Sequence, residues 1–491
     1  MSEPNLKVQF KRATPLPNAA KIEQQLQSIV GPENVSTDAI DKLAYGKDYL
    51  LISNRWTLDG IQPTEPDFIV WPKTVEQVSA IVKYANEQKI PVIPYGEGSG
   101  VVGGALAVNG GIIVDMKYFQ DLDVNRKNMT VTVGTGWNGQ NLERTLNEQG
   151  LTMGHIPQSV RTSTVGGYIA HRAAGQFSTK YGKMEDIVLA MEVVLPTGEI
   201  IRTKSYPRAS VGPMIDKLFL GGEGTMGIVT KAVCRIWPAP ERRALLSFAF
   251  DNLSDCLNAI RETLQGQIFP AVIRIYDKIE TERHFYNMKE AKNKLMVIFV
   301  CEGPKYLVDV EERITAANCK KFNGLDCGEE PVHHWFETRF TVKESSEYAP
   351  MGLVFDTIEV ACMWDVADKL YENTIKSMMS VPGMLMGSAH ASHFYTTGVC
   401  FYFTFGGNPQ PGQDPYEFYK AVWDATMRGV LSVNGTISHH HGLGINRTPW
   451  MKEEYKEVFD VLVKVKNLLD PNKVLNPGKL YDEQIRPFQK K

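Results

Sequence analysis

Three glycine clusters between Gly96 and Gly227 constrain this chain more than any other feature. The first, Pro94-Tyr95-Gly96-Glu97-Gly98-Ser99-Gly100 with Gly103-Gly104 beyond it, follows Ile90-Pro91-Val92-Ile93-Pro94, a β-branched run bounded by prolines that predicts a strand. The second is Ser163-Thr164-Val165-Gly166-Gly167. The third, Gly221 to Gly227, leads into the strand-like Ile228-Val229-Thr230 run that ends at Trp237. Each cluster alone reads as a tight turn. Three in one window, each beside a strand, point to backbone N–H groups free of Cβ atoms and able to approach an anion such as a pyrophosphate. The G-x-G-x-G of the first cluster is not a dinucleotide-binding fingerprint. It runs on through Val101-Val102-Gly103-Gly104-Ala105 into Ile112-Ile113-Val114-Asp115 rather than opening a helix, and no short βαβ unit with an acidic second strand tip is evident.

The 491 residues suggest about three domains, or two large ones. With 53 Lys+Arg against 56 Asp+Glu, the chain lacks the basic excess of a nucleic-acid binder. Seven cysteines, odd in number, widely spaced and without a C-x-x-C pair, indicate neither a disulfide framework nor a zinc module and fit a reducing compartment. Met1 to Arg12 has no apolar core of a signal peptide, and no unbroken apolar run reaches the ~18 residues of a membrane span. A soluble, cytoplasmic protein is expected.

From about 65 to 240 short strands alternate with amphipathic helices. Apolar residues at 75, 78, 81, 82 and 85, after Thr74 and with Gln77 three residues on, predict a capped helix. Met129 to Gly134 alternates as a strand, and Asn138 to Leu146 reads as the helix after it. The expectation is an α+β domain with mixed sheets. After Trp237-Pro238-Ala239-Pro240 glycine thins out and longer helices alternate with strands such as Lys294 to Cys301, which places a boundary near 240.

Ile69-Val70-Trp71-Pro72, the 94–104 loop, Thr164-Val165-Gly166-Gly167, Tyr181-Gly182 with Glu185-Asp186, Leu195-Pro196-Thr197-Gly198, Gly221 to Gly227, and Asp470-Pro471 with Asn476-Pro477-Gly478-Lys479 occur in that order. Together they resemble the FAD-linked oxidases of the vanillyl-alcohol oxidase (PCMH-type FAD-binding) superfamily, over roughly 50 to 480. The resemblance implies an α+β fold with a two-lobed FAD-binding domain at 61–240 and an α+β cap domain at 241–445 built on an antiparallel sheet. An N-terminal helical segment (1–60) and a C-terminal segment (446–491) that returns to the FAD domain complete it. It implies FAD held by Pro94, Tyr95, Gly96, Glu97, Gly98, Ser99, Gly100, Gly103 and Gly104, by Pro157, Ser159, Thr162, Thr164, Gly166 and Gly167, and by Glu223, Gly224, Gly227, Ile228 and Asn476. Relatives that tether FAD through a histidine in the first loop carry it where this chain has Glu97-Gly98-Ser99, so the FAD is expected to be non-covalent. A homodimer is implied as well.

Within that superfamily Ser438-His439-His440-His441-Gly442, Cys400 to Phe405 and Ile273 to Asp277 are similar to segments of the alkylglycerone-phosphate synthase family. This puts His439, His440, His441, Tyr402 and Arg274 at catalytic positions. The chain departs from that family where an arginine–aspartate pair helps hold a phosphate: Val342-Lys343-Glu344 stands there, leaving Lys343, with Arg339 nearby, to meet an anion. His393 completes the expected substrate wall.

Three consecutive histidines can take up a proton near neutral pH, or lie in a solvated surface loop. In an extended segment His439 and His441 would face one way and His440 the other. Alternation across Cys400 to Phe405 turns Phe401, Phe403 and Phe405 to a core and Tyr402 to the opposite face. Arg274 either meets a substrate anion or pairs with Asp277. His390 and His393 are spaced as metal ligands, but the acidic partner that such sites use is replaced by histidine, and no metal is expected. His155 and His333-His334 read as structural. The expected function is FAD-dependent oxidation of a CH–OH group in a small, anionic substrate, with oxygen or another electron acceptor reoxidising the flavin. The alternatives are non-redox ether-lipid synthesis of the alkylglycerone-phosphate synthase type and a non-catalytic flavin-binding protein.

Overall fold

Alternating burial organises the strands into three principal sheets in the computed structural model, which describes residues 7–10, 16–341 and 349–481. The first sheet holds β1 (Val35–Ser36), β2 (Phe68–Val70), β3 (Val92–Tyr95) and β4 (Ile112–Asp115) in the order β1-β2-β4-β3. β2, β4 and β3 run parallel, and β1 pairs antiparallel on the edge. The helix Val75–Gln88 connects β2 to β3. Its Thr74 hydroxyl accepts the Gln77 N–H, the Gln77 side chain accepts the Lys73 N–H, and Val78, Ile81, Val82 and Ala85 are buried, as the sequence predicts. The strand–helix–strand run is a βαβ crossover, but its second strand ends at Tyr95 rather than at an acidic residue, and the glycines that follow lead into a loop rather than into a helix.

The second sheet orders β5 (Leu122–Asn125), β6 (Thr130–Gly134), β7 (Val188–Val194), β8 (Ile200–Arg202) and β9 (Ile228–Arg235) as β8-β7-β9-β6-β5, all antiparallel. Along most of β9 every second side chain is buried, the period-2 pattern of a sheet with one face on a core.

After Pro240 comes a seven-stranded antiparallel sheet: β10 (Arg242–Phe250), β11 (Val272–Tyr276), β12 (Leu295–Gly303), β13 (Leu325–Asp326), β14 (Val354–Met363), β15 (Met384–Phe394) and β16 (Gly398–Gly407). Their order is β13-β10-β12-β11-β15-β16-β14. β12 is buried along its whole length because both sheet faces are covered. One face packs Ile273, Ile275, Ala389, Ala391, Phe401, Phe403 and Phe405 against Leu370, Phe418, Tyr419 and Trp423 from helices Ala367–Met379 and Pro415–Leu431. Each such large apolar side chain contributes about 1.5–3 kcal/mol on burial.

The chain ends tie the halves together. Ile22, Leu26 and Val30 join the core around the parallel sheet, whereas Leu50, Ile52 and Trp56 join the core of the seven-stranded sheet. Near the C-terminus the Val92 N–H donates to Val474 O (2.8 Å) and the Asn476 N–H to Val92 O (2.8 Å), which brings the tail back to the glycine loop. Among the described residues no helix is long and apolar enough to cross a membrane.

Candidate active site

The three glycine clusters touch. A Cβ on Gly96 would lie 2.4 Å from Thr164 Oγ1, one on Gly224 2.3 Å from Pro94 Cγ, and one on Gly104 3.3 Å from Glu223 Oε2. The first loop therefore packs on the second and third at places where a side chain would not fit. Gly98, Gly103 and Gly224 hold positive φ (+66°, +79° and +71°). The N–H groups of Gly98, Ser99, Gly100, Gly103 and Gly104 donate to no acceptor among the described residues, although Gly103 and Gly104 are buried. Buried donors are normally paired, and so many in one loop suit the oxygens of a pyrophosphate. The residues present thus fit the FAD that the sequence resemblance implies.

Side chains around this cradle mostly brace it. Asn138 donates to Glu97 Oε1 (3.1 Å) and Arg161 O (3.0 Å), and Thr164 accepts the Gly167 N–H (3.3 Å). Thr162 donates to Ser159 O (3.4 Å), and Pro157 O accepts the Val160 N–H (3.1 Å). Asn476 donates to Gly104 O (2.9 Å) and Glu223 O (2.7 Å), joining the first and third clusters. Gly227 packs on Val193, and the Ile228 side chain is in the core. Glu223 differs from expectation: its carboxylate accepts the N–H groups of Leu443 (2.6 Å) and Gly444 (2.9 Å), so it clamps the loop after the histidines instead of facing the cradle freely.

On the seven-stranded sheet, register places one row of side chains across four strands: Tyr276 opposite His390, His390 opposite Tyr402, and Tyr402 opposite Glu359. Tyr402 turns away from the phenylalanine core, as its alternation predicts, and stacks on His390 with ring centroids 4.5 Å apart. At the end of the row the Glu359 carboxylate, fully buried, accepts the backbone N–H groups of His439 (2.5 Å), His440 (3.4 Å) and His441 (2.8 Å) and the Ser438 hydroxyl (3.0 Å). Arg447, equally buried, pairs with it at 3.0 Å.

This carboxylate explains why the expected alternation of the histidines fails. Wrapped around Glu359, residues 439–441 form bends, not a strand, and all three rings come to one side. The Tyr402 hydroxyl meets His440 Nε2 closely and His441 Nε2 at 3.5 Å. His440 Nδ1 meets His439 Nδ1 at 2.8 Å, and His439 Nε2 meets the Tyr395 hydroxyl at 2.8 Å. His393 joins them because a β-bulge between Ser392 and Phe394, with His393 at φ +59°, re-aims it to the face of His390. Its Nδ1 meets the Ser178 hydroxyl (2.7 Å), and its ring lies 4.8 Å from that of His440.

Burial, followed by the neighbouring cations and rings, pushes His439 and His440 well below the ordinary histidine range. Burial likewise lowers His393 to about 3 and His441 to about 4. Burial, then Cys400 and Glu359, holds the Tyr402 phenol well above its usual value. At neutral pH the site is a protonated phenol against neutral imidazoles. Cys400, His439 and His440 also present ligand-type atoms within 4.8 Å of one another. In this structure both ring nitrogens of His439 and of His440 are engaged in the hydrogen bonds above.

Arg274 lies one register step from the row, opposite Ser392, with its guanidinium 5.0 Å from the Tyr276 ring and its buried Nε without a partner among the described residues. The expected alternative, pairing with Asp277, is not seen. Asp277 caps the helix Lys278–His284 and accepts from Ala389 N (2.6 Å) and the Tyr371 hydroxyl (3.0 Å). Arg339 donates to Gln176 (3.0 Å) and stacks among Phe177, Trp335, Phe336 and Phe340, its buried Nε also unpartnered among the described residues. Lys343 lies outside the described residues. His155 is buried against the Tyr168 ring (4.6 Å) with both nitrogens unpartnered among the described residues. Sequence reasoning missed Glu359, Tyr395, Ser178 and Lys183, whose ammonium donates to His439 O (2.6 Å). Strand register brings in Glu359, and the packing of the 178–183 segment and the β15–β16 turn on the histidines brings in the others; no short motif carries either.

Residues 66–204 match the model of the FAD binding domain family, and 239–480 match that of the FAD linked oxidases, C-terminal domain. An alkyldihydroxyacetonephosphate synthase of Caenorhabditis elegans is 29% identical over 86% of this chain and 77% of its own length. Glycolate oxidase subunit GlcD of Bacillus subtilis is 26% identical over 95% of this chain and 97% of its own. Among solved structures, an alkyldihydroxyacetonephosphate synthase superposes with a TM-score of 0.78 at 24% identity, covering 96% of this chain and 88% of that one.

Proposed function

The chain belongs to the FAD-linked oxidase superfamily, and we propose that it is an FAD-dependent oxidoreductase that oxidises a CH–OH group of a small, anionic molecule. The observation that carries this reading is the close hydrogen bond between Tyr402 and His440, a protonated phenol against a neutral imidazole on the face of the cap sheet where the glycine-loop half docks. FAD, when bound in the glycine cradle, supplies a two-electron acceptor for hydride. The protein's own work is on the proton and the anion. Tyr402 takes the substrate's O–H proton as it passes its own to His440 Nε2, so negative charge is free to develop on the substrate oxygen. Arg274 and Arg339, whose buried Nε atoms lack partners among the described residues, bind the anionic group, with Lys343 four residues after Arg339 in sequence. Burial excludes water and keeps the imidazoles neutral and ready to accept.

Anaerobic mixing of the FAD-loaded protein with a panel of 2-hydroxy acids and alcohols tests the reading. Bleaching of the oxidised flavin absorbance is expected with at least one of them, and Tyr402→Phe should slow the limiting rate about a hundredfold. An oxidised spectrum that persists across the panel, with turnover of an acyl-dihydroxyacetone phosphate and a fatty alcohol instead, would overturn it.

A further inference from the structure

The histidine cluster is more than three bases side by side: three of its hydrogen bonds run in one line. Tyr402 Oη meets His440 Nε2, His440 Nδ1 meets His439 Nδ1, and His439 Nε2 meets Tyr395 Oη. Each neutral imidazole carries one N–H and one lone pair, so a line of this kind has a direction. When Tyr402 donates to His440 Nε2, the His440 hydrogen must lie on Nδ1. It is then donated to His439 Nδ1, which puts the His439 hydrogen on Nε2, pointing at Tyr395. Three contacts fix two tautomers.

Supports on every side hold this arrangement. The Glu359 carboxylate fixes the backbone of all three histidines, Lys183 holds the His439 carbonyl (2.6 Å), and the Tyr395 N–H donates to Gly398 O (2.9 Å) in the β15–β16 turn. Tyr395 is half-buried at the start of that turn, and Thr397, two residues on, is exposed. The line thus starts at the phenol over the site and ends at Tyr395, in a turn whose tip is exposed at Thr397.

We propose that Tyr402, His440, His439 and Tyr395 form a proton wire that carries the substrate's hydroxyl proton out of the site, with Tyr395 as its exit. The step rests on the CH–OH oxidation proposed above. The substrate O–H bond breaks and a new Tyr402 O–H forms, while the Tyr402 proton moves to His440 Nε2. The His440 Nδ1 proton moves to His439 Nδ1, the His439 Nε2 proton to Tyr395 Oη, and the former Tyr395 proton leaves to solvent. One proton enters the wire and one leaves, the wire carries no net charge afterwards, and the electron pair leaves separately as hydride to FAD. This lets His440 and His439 serve as the base without either having to remain cationic. Tyr395 acts through the histidines and does not touch substrate.

Single-turnover flavin reduction in H2O, D2O and their mixtures tests the wire, using whichever hydroxy compound bleaches the wild-type flavin. The wild-type rate should depend on deuterium fraction along a curve, as for several protons in flight. Tyr395→Phe should slow the limiting rate about tenfold with substrate affinity and FAD content unchanged, and its dependence should straighten. Tyr286→Phe, at a phenol 78% exposed, serves as the control that changes nothing. An unchanged rate and unchanged isotope dependence in Tyr395→Phe, with Tyr402→Phe slowed, would sink the wire and spare the oxidation. A second readout needs no turnover: 15N spectra of the FAD-loaded protein at neutral pH should show His439 and His440 neutral, protonated on opposite nitrogens, with the His439 signals moved by Tyr395→Phe. Two like tautomers, a cationic ring or an unmoved His439 would overturn it even if no compound in the panel reduces the flavin.

Discussion

Glu359 governs the site without facing it. Two carboxylate oxygens gather the N–H groups of His439, His440 and His441, the Ser438 hydroxyl and the Arg447 guanidinium. Burial alone would raise its pKa, but Arg447, His441 and the backbone N–H donors outweigh that and hold the carboxyl below its ordinary value. Glu359→Gln keeps the shape, turns an NH2 toward donors and strips the buried Arg447 of its counter-charge. Breaking a buried pair in this way costs about 3–5 kcal/mol. A lower unfolding midpoint in urea is therefore expected, together with slowed flavin reduction because the three rings lose their common anchor. Equal midpoints and equal rates would show that the loop holds itself. At this scale the sequence was partly readable. The aromatic alternation gave Tyr402 its face, but Glu359 lies 80 residues before the histidines and is brought to them by the antiparallel bridge between Ala361 of β14 and Thr436, just ahead of the histidines.

Among elements, the glycine loops show how a conformation and a contact can be separated. Gly60 and Gly224 have nearly the same φ, +69° and +71°, yet a Cβ on Gly60 meets nothing within 4 Å, whereas one on Gly224 lies 2.3 Å from Pro94. Gly60→Ala should lower stability by about 1–2 kcal/mol through the left-handed backbone alone and leave FAD affinity as it is. Gly224→Ala adds overpacking between the first and third loops, and FAD affinity, measured by fluorescence titration of the apoprotein, should fall about tenfold or more. Equal affinities in the two variants would mean that this contact does not shape the cradle. Here the sequence was most legible: the Thr74 cap, the strand after Met129 and all three glycine loops lie where the patterns put them. It failed where a tertiary contact overrides a local period, at the bent 439–441 segment and at the His393 bulge.

The molecule as a whole carries the acid sensitivity of its active site. Burial lowers six histidines: His155 and His393 to about 3, His441 to about 4, and His390, His439 and His440 well below the ordinary range. Unfolded histidines titrate near 6.5, so from about pH 6.5 down to about 4 the unfolded chain binds protons that the native one refuses. Stability that is fully present above pH 6.5 is therefore lost as pH falls. Six carboxyls act the other way. Burial raises Asp48 and Asp356 to about 7, Asp277 to about 6, and Glu143, Glu311 and Asp368 above the ordinary carboxylate range, so the native chain holds protons there that the unfolded chain releases. Against them stand the six histidines, joined below the ordinary carboxylate range by Glu280 and Glu359, so the unfolded chain takes up more protons as pH falls and stability falls with it. Urea midpoints should fall steadily from pH 7 to pH 5, and a flat or rising series would refute the balance. His155→Gln isolates one member, because neither nitrogen of His155 has a hydrogen-bond partner to lose among the described residues. Its slope should be shallower than wild type by one proton, about 1.4 kcal/mol per pH unit, and an unchanged slope would show that His155 is protonated in the native state.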